Sequence, residues 1–193
     1  MPRPLRPAVA SALAAVVLLS GCSGGPSAAG DDPSASPSGG STGVSPSPVP
    51  PVEPAPSAPA AARSRKPAGQ RAFARHVMDL WAYALRTNDP KPLAAARLGK
   101  PPCGGCAPLA KELASRRTQG WTVDFPGLTV RSLALSSQGS DRVARARVDV
   151  PASDSYNDDG TFRNTSPAHK GATFLVQMRY QKSQWRLVSF SAG

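Results

Sequence analysis

The residues with the sharpest chemical potential are two thiols three apart. Cys103-Gly-Gly-Cys106 has the spacing of a tight disulfide, of a dithiol redox site, or of half a zinc site. Zinc needs four ligands, and only His76 and His169 are left to complete the set, so no metal is expected. A thioredoxin-like site follows a buried strand in a βαβ unit, and Leu93–Pro102 does not read as that strand. The pair does stand just before a helix N-terminus, where thiolate pKa values fall, which keeps the redox reading open beside the structural one. Three other patterns lack their context. Gly39-Gly-Ser-Thr-Gly43 fits a serine-nucleophile pattern but has no strand before it and no helix after it. Asp154 to Gly160 superficially suggests a calcium loop, yet Asp159 and Thr165 occupy the places where that loop needs Gly and Glu. Asn164-Thr165-Ser166 is a sequon by pattern only. No catalytic residue is named.

The third thiol, Cys22, belongs to an address. Arg3 and Arg6 precede an apolar run of 13 residues, Ala8–Ser20. That run is short for a bilayer-spanning helix, which needs about 20 residues, and right for a signal peptide. Leu19-Ser20-Gly21-Cys22 resembles the lipobox of bacterial lipoproteins. The resemblance implies a diacylglyceryl thioether on Cys22, which becomes the new N-terminus and anchors the protein to the outer face of the cell membrane. With Cys22 lipidated, two thiols remain in an oxidising compartment, and Cys103 and Cys106 are expected to form a structural disulfide.

Composition divides the rest of the chain. Of the 40 residues from Ser23 to Ala62, 33 are Pro, Ser, Ala or Gly, too few large apolar groups to offset the entropy of ordering. All 11 aromatic residues lie between Phe73 and Phe190. The expected organisation is therefore a lipoprotein signal peptide at 1–22, a disordered tether at 23–67 and one α+β domain at 68–193. These proportions exclude a multidomain enzyme, a polytopic membrane protein and a disulfide-dense miniprotein.

Within the domain, Phe73, Val77, Leu80, Trp81, Ala84 and Leu85 recur at helical spacing and predict a helix over 69–87, stopped by Asn88-Asp89-Pro90. Its apolar arc is wide, as for a helix laid deeply on a sheet, and Asp79 falls on the outer side. His76 sits at the flank of the arc, a boundary position. A short helix over 91–98 and a third over 107–119 are expected. After Gly120 the period becomes two. Strands are expected over 121–125, 128–135, 142–150, 172–181 and 184–191, with a loop around Asn157–Gly160. Helices first and antiparallel strands afterwards make an α+β fold, with N-terminal helices packed on a curved antiparallel sheet.

That order resembles the nuclear-transport-factor-2-like (cystatin-like, cone-shaped) fold. More narrowly, Trp81 and Tyr83 in the first helix, the Asn88-Asp89 stop, Cys103 and Cys106, and Trp185 in the closing strand resemble an uncharacterised family of actinobacterial lipoproteins. The fold resemblance implies a pocket between the first helix and the concave sheet, with His76, Trp81, Tyr83, Trp121, Tyr180 and Trp185 as candidates to line it. For Trp81, Trp121 and Trp185 the favoured reading is plain core.

From Arg63 onward the chain has 21 basic and 9 acidic residues. The excess suits anionic partners, such as phosphate-rich wall polymers, lipid headgroups or another envelope protein, or simply a solvated surface. Nucleic acid is not expected for an exported protein. The first reading is thus a non-catalytic binding or interaction module without a cofactor, displayed at the cell envelope. A small-molecule binding protein or enzyme using the pocket, and a thiol oxidoreductase, are the alternatives.

Overall fold

The computed structural model describes residues 53–99 and 103–192. The signal peptide, Cys22 and most of the tether lie outside the described residues. Helix α1 spans Pro67–Thr87. Pro67 opens it at a position where the missing N–H is no loss, and Asn88 closes it in the left-handed conformation at φ 55°, which Asn tolerates better than most residues. The Asn88 side-chain amide donates to the Trp121 carbonyl at 2.9 Å, so the helix stop also fixes the start of the strands. Helix α2 spans Lys91–Ala95 and α3 spans Cys106–Gln119.

Among the described residues, seven strands follow: β1 (Trp121–Asp124), β2 (Thr129–Gln138), β3 (Asp141–Val150), β4 (Ser153–Asn157), β5 (Phe162–Ser166), β6 (His169–Gln181) and β7 (Gln184–Ala192). They form a four-stranded sheet in the order β2-β3-β6-β7 and a three-stranded sheet in the order β1-β4-β5, every pairing antiparallel. The expected α+β class, with helices ahead of antiparallel strands, is what the chain adopts. Register shifts at Val130/Ser132, Val148/Val150 and Gln177/Met178 bend the larger sheet, as bulges do. Phe73, Val77 and Leu80 of α1 share one core with Ala144, Ala146 and Val148 of β3 and Phe174, Val176 and Met178 of β6. The period-two alternation predicted for β3 and β6 is therefore the alternation observed.

Three expectations need correction. The second helix stops at Ala95, not Leu98, because the chain straightens to pair with β7: Leu98 N–H donates to the Leu187 carbonyl at 2.7 Å and Leu187 N–H to the Ala96 carbonyl at 2.9 Å. That contact covers a sheet edge that would otherwise be open. The turn expected at Asp159-Gly160 is present, but it joins a hairpin, β4–β5, in place of a plain loop, because those strands are too polar to read as half-buried. The third concerns the boundary at 68. Residues 53–66 pack on the domain as a strap: a 3-10 turn at Ala60–Arg63, a buried Ala62 and an ion pair between Glu53 and Arg86. Gly69 is needed where the strap meets α1, since a Cβ there would lie 2.0 Å from the Ser64 carbonyl oxygen.

Candidate functional site

A cleft of about 600 Å³ opens between the helices and the smaller sheet. Its apolar side is Trp81 and Leu85 from α1, Leu109 from α3, Phe125 after β1, Val150 and Phe190. Trp81 does not fill it. The indole is braced edge-on by Phe125 at 5.6 Å and by Phe174 at 5.0 Å between ring centroids, so it forms a wall.

The opposite side is polar, and the strand register makes it so. Val123, Ser155 and Asn164 stand side by side across β1, β4 and β5, with Ser153 opposite Ser166 in the next inward row. All five line the cleft. Among the described residues, none of Ser153, Ser155, Asn164 and Ser166 uses its side chain in a hydrogen bond to another. Asp154, between the two serines, points away and accepts from Thr165 at 2.6 Å. Asp124 is exposed and does not face the cleft.

Helix α3 contributes the charge. Cys106, Leu109, Leu113 and Arg116 are its buried residues, spaced three, four and three apart, so Arg116 occupies a core position of an otherwise apolar stripe. Its Nη2 donates to Glu112, one turn back, and its guanidinium carbon sits 4.8 Å from the centroid of the Trp121 ring. A second guanidinium, that of Arg163 on β5, is 4.9 Å from the same centroid. Such cation–π contacts hold a guanidinium in place without using its N–H groups. Among the described residues, Arg116 Nε and Nη1 are buried without a hydrogen-bond partner. The Leu109-x-x-x-Leu113-x-x-Arg116 spacing could have revealed this arginine from the sequence; the serines of β4 and β5 carried no such signal.

The six residues expected to line one pocket do not meet. Trp81 and Trp121 line this cleft. His76 and Trp185 line a second cavity of about 670 Å³ under the strap, together with Ala62, Phe73 and Leu80. Tyr180 borders a third, smaller space with Arg65 and Trp185. Tyr83 is buried and lines none of them. Helical geometry is the reason: at about 100° per residue, His76 and Trp81 lie some 140° apart around α1, and α1 is covered on both sides. His76 is accordingly buried and not a boundary residue. Burial lowers its pKa, with a small opposing pull from Asp79. Tyr180 and Trp185 serve the strap instead. Tyr180 donates its hydroxyl to the Arg63 carbonyl at 3.0 Å and Trp185 its indole N–H to the Ser64 carbonyl at 2.8 Å, while the Arg65 guanidinium covers the Tyr180 ring at 4.4 Å.

Cys103 and Cys106 are joined to each other with their Cα atoms 5.1 Å apart. Both are buried, Cys103 at 1% and Cys106 at 8% exposure. Gly105 between them is pressed against β7, where a Cβ would lie 2.0 Å from the Phe190 carbonyl oxygen. The bridge thus fixes the start of α3 against the last strand. Among the described residues, no three His, Cys, Asp or Glu side chains gather as a metal site.

Solved structures with similar chain traces include an NTF2-like family protein from Streptomyces avermitilis (13% identity, 65% of this chain and 97% of that one, TM-score 0.44). Another is an NTF2-like superfamily protein from Salmonella enterica serovar Typhimurium (13% identity, 63% and 87%, TM-score 0.40). A third is Aln2 from a Streptomyces species (11% identity, 64% and 85%, TM-score 0.39). No curated protein matches the chain. The family profile of DUF6318, a family of unknown function, matches residues 48–191, from just before the strap to the end of β7, and the chain belongs to that family.

Proposed function

We propose that this protein is a lipid-anchored module of the cell envelope that binds a small molecule in the cleft between α3 and the β1-β4-β5 sheet. The observation that carries the reading is the cleft itself: about 600 Å³ of open space with one apolar side, one polar side and a buried cation. Size and lining suit a small ligand, most of whose surface would be apolar. Binding is favoured over turnover. Among the described residues lining the cleft, the ionisable ones are Glu112 and Arg116, and they are bound to each other, whereas a general base must be free to reach the proton it takes. Burial of both sulfurs likewise favours a structural bridge over a redox site, which needs an accessible thiol.

The anchor at Cys22 and the location on the outer face of the cell membrane rest on the lipobox-like sequence. Cys22→Ala is expected to release the protein into the medium and to abolish incorporation of labelled palmitate. The cleft is tested by ligand-observed NMR with a fragment collection, comparing the wild type with Ser166→Trp at the exposed strand β5. Fragments that contact the wild type and lose that contact in the variant support the reading; fragments that bind both alike remove it.

A second, compatible reading rests on the outer face of the larger sheet. Arg145 and Arg147 lie on β3, and Arg179 lies opposite Arg186 across β6 and β7. This row suits contact with anionic envelope polymers or headgroups. It predicts sedimentation with anionic wall polymer that weakens as salt shortens the screening length; retention in high salt would count against it.

A further inference from the structure

We propose that the cavity beneath the strap is a second small-molecule site, and that its ligand is an uncharged, largely apolar molecule with one hydroxyl group bonded to His76. The cavity measures about 670 Å³, within the range of small-molecule sites. Its existence follows from composition. The strap reads Pro-Ala-Pro-Ser-Ala-Pro-Ala-Ala-Ala over 54–62, so it lies across the domain without a large side chain to fill the space below. Ala58 and Ala62 form the strap side, and Phe73, His76, Leu80 and Trp185 face them from the domain. The indole N–H of Trp185 is already given to the Ser64 carbonyl, so Trp185 adds only apolar surface.

His76 is the polar feature of that wall. It is 7% exposed. Among the described residues its ring nitrogens take no hydrogen-bond partner, and neither is sealed from solvent as the Arg116 nitrogens are. The small accessible surface of the ring therefore opens into the cavity that it lines. Burial holds its pKa below the ordinary value, so near neutral pH the imidazole has one donor and one acceptor nitrogen. A hydroxyl, which both donates and accepts, can pair with whichever nitrogen is presented. Charge selects against ions. Among the described residues no acidic side chain lines the cavity, so an ammonium group would find no counter-charge. A carboxylate would have to lose its water beside a neutral imidazole: Arg63 and Lys182, at the rim, are exposed, and Arg186 spends Nη1 on the Ala95 carbonyl.

The test titrates the full-length 15N-labelled chain with pairs of probes that differ by a hydroxyl or a methyl group: phenol and toluene, cyclohexanol and methylcyclohexane, benzyl alcohol and ethylbenzene. The expected result is that at least one hydroxyl probe binds about fivefold tighter than its partner and shifts the His76 ring resonances. Because the strap is one wall of the site, the same probe should slow trypsin cleavage at Arg63 and Arg65. His76→Phe should abolish the preference while leaving the methyl probes unaffected. Ala95→Trp, at an exposed position of α2 that lines the cavity, should exclude both kinds of probe; it keeps the test decisive if the His76 variant does not fold. Equal binding of hydroxyl and methyl probes would overturn the role of His76. Benzoate binding tighter than phenol would overturn the choice of an uncharged ligand. Binding that survives Ala95→Trp and is lost in Ser166→Trp would place the probes in the α3 cleft and overturn the site beneath the strap. No binding of any probe would overturn it as well.

Discussion

The indole N–H of Trp185 reaches across 121 positions of sequence to the carbonyl oxygen of Ser64, at 2.8 Å. The bond joins the last strand to a segment whose composition belongs with the tether. Tyr180, stacked edge-on to Trp185 at 5.2 Å, makes the neighbouring bond to Arg63. The strap is therefore fastened by side chains that any folded copy of the sheet presents.

Trp185→Phe keeps most of the packing and removes the donor. It is expected to cost about 1 kcal/mol in urea unfolding. Trypsin should then cut at Arg63 and Arg65 faster than in the wild type, where both residues lie in or beside the docked 3-10 turn. Unchanged cleavage rates would mean that the bond does not hold the strap.

The two glycines between the cysteines should behave differently. Among the described residues, a Cβ at Gly104 meets nothing within 4 Å, whereas one at Gly105 meets the β7 backbone at 2.0 Å. Gly104→Ala should be within about 0.5 kcal/mol of the wild type. Gly105→Ala must push α3 off β7 and should lose at least about 2 kcal/mol, read from paired denaturation curves. Equal stability of the two variants would contradict the contact.

The Cys103–Cys106 bridge closes a very short loop. Its chain-entropy contribution is about 2 kcal/mol. Cys103→Ala with Cys106→Ala should lower stability by roughly that amount without changing the far-ultraviolet circular dichroism. Because both sulfurs are buried, reduction of the native protein by a mild thiol should be slow and should accelerate in denaturant.

His76 sets a pH dependence. Its folded-state pKa lies below the ordinary value because burial disfavours the imidazolium, the Asp79 carboxylate only partly offsetting this. The unfolded chain therefore binds the proton first. The stability that His76 contributes is complete above about pH 6.5 and falls as pH drops from there toward the folded-state value. His76→Leu should flatten the stability curve just below about pH 6.5. Asp79, whose own pKa is raised by desolvation, should leave its mark at lower pH, nearer the carboxylate range. An unaltered slope in His76→Leu would assign the dependence elsewhere.

Local pattern carried most of the elements. The 3.6-residue period of α1 and the alternation of β3 and β6 place apolar side chains on a face that must be buried, and burial at those positions is what the fold does. Cys103 and Cys106, three apart before a helix, could reach each other whatever the rest of the chain did. The strands β4 and β5 were invisible for the opposite reason. Their inward residues are serines and an asparagine that face a cleft and not a core, so the hydrophobic alternation that marks a strand is missing from them.

The sequence by itself determined the class of fold, the helices and the more apolar strands, and the pairing of its two domain cysteines, because each depends on spacing along the chain. Tertiary structure decided which side chains share a space. It separated His76 and Trp185 from Trp81 and Trp121, since α1 is covered on opposite sides. It enlisted the end of a tether-like segment as part of the domain, since two aromatic side chains from β6 and β7 supply the donors for its carbonyls. And it turned Arg116, one of many arginines in a basic sequence, into a buried cation beside an open cleft, because the helix that carries it aims that position inward.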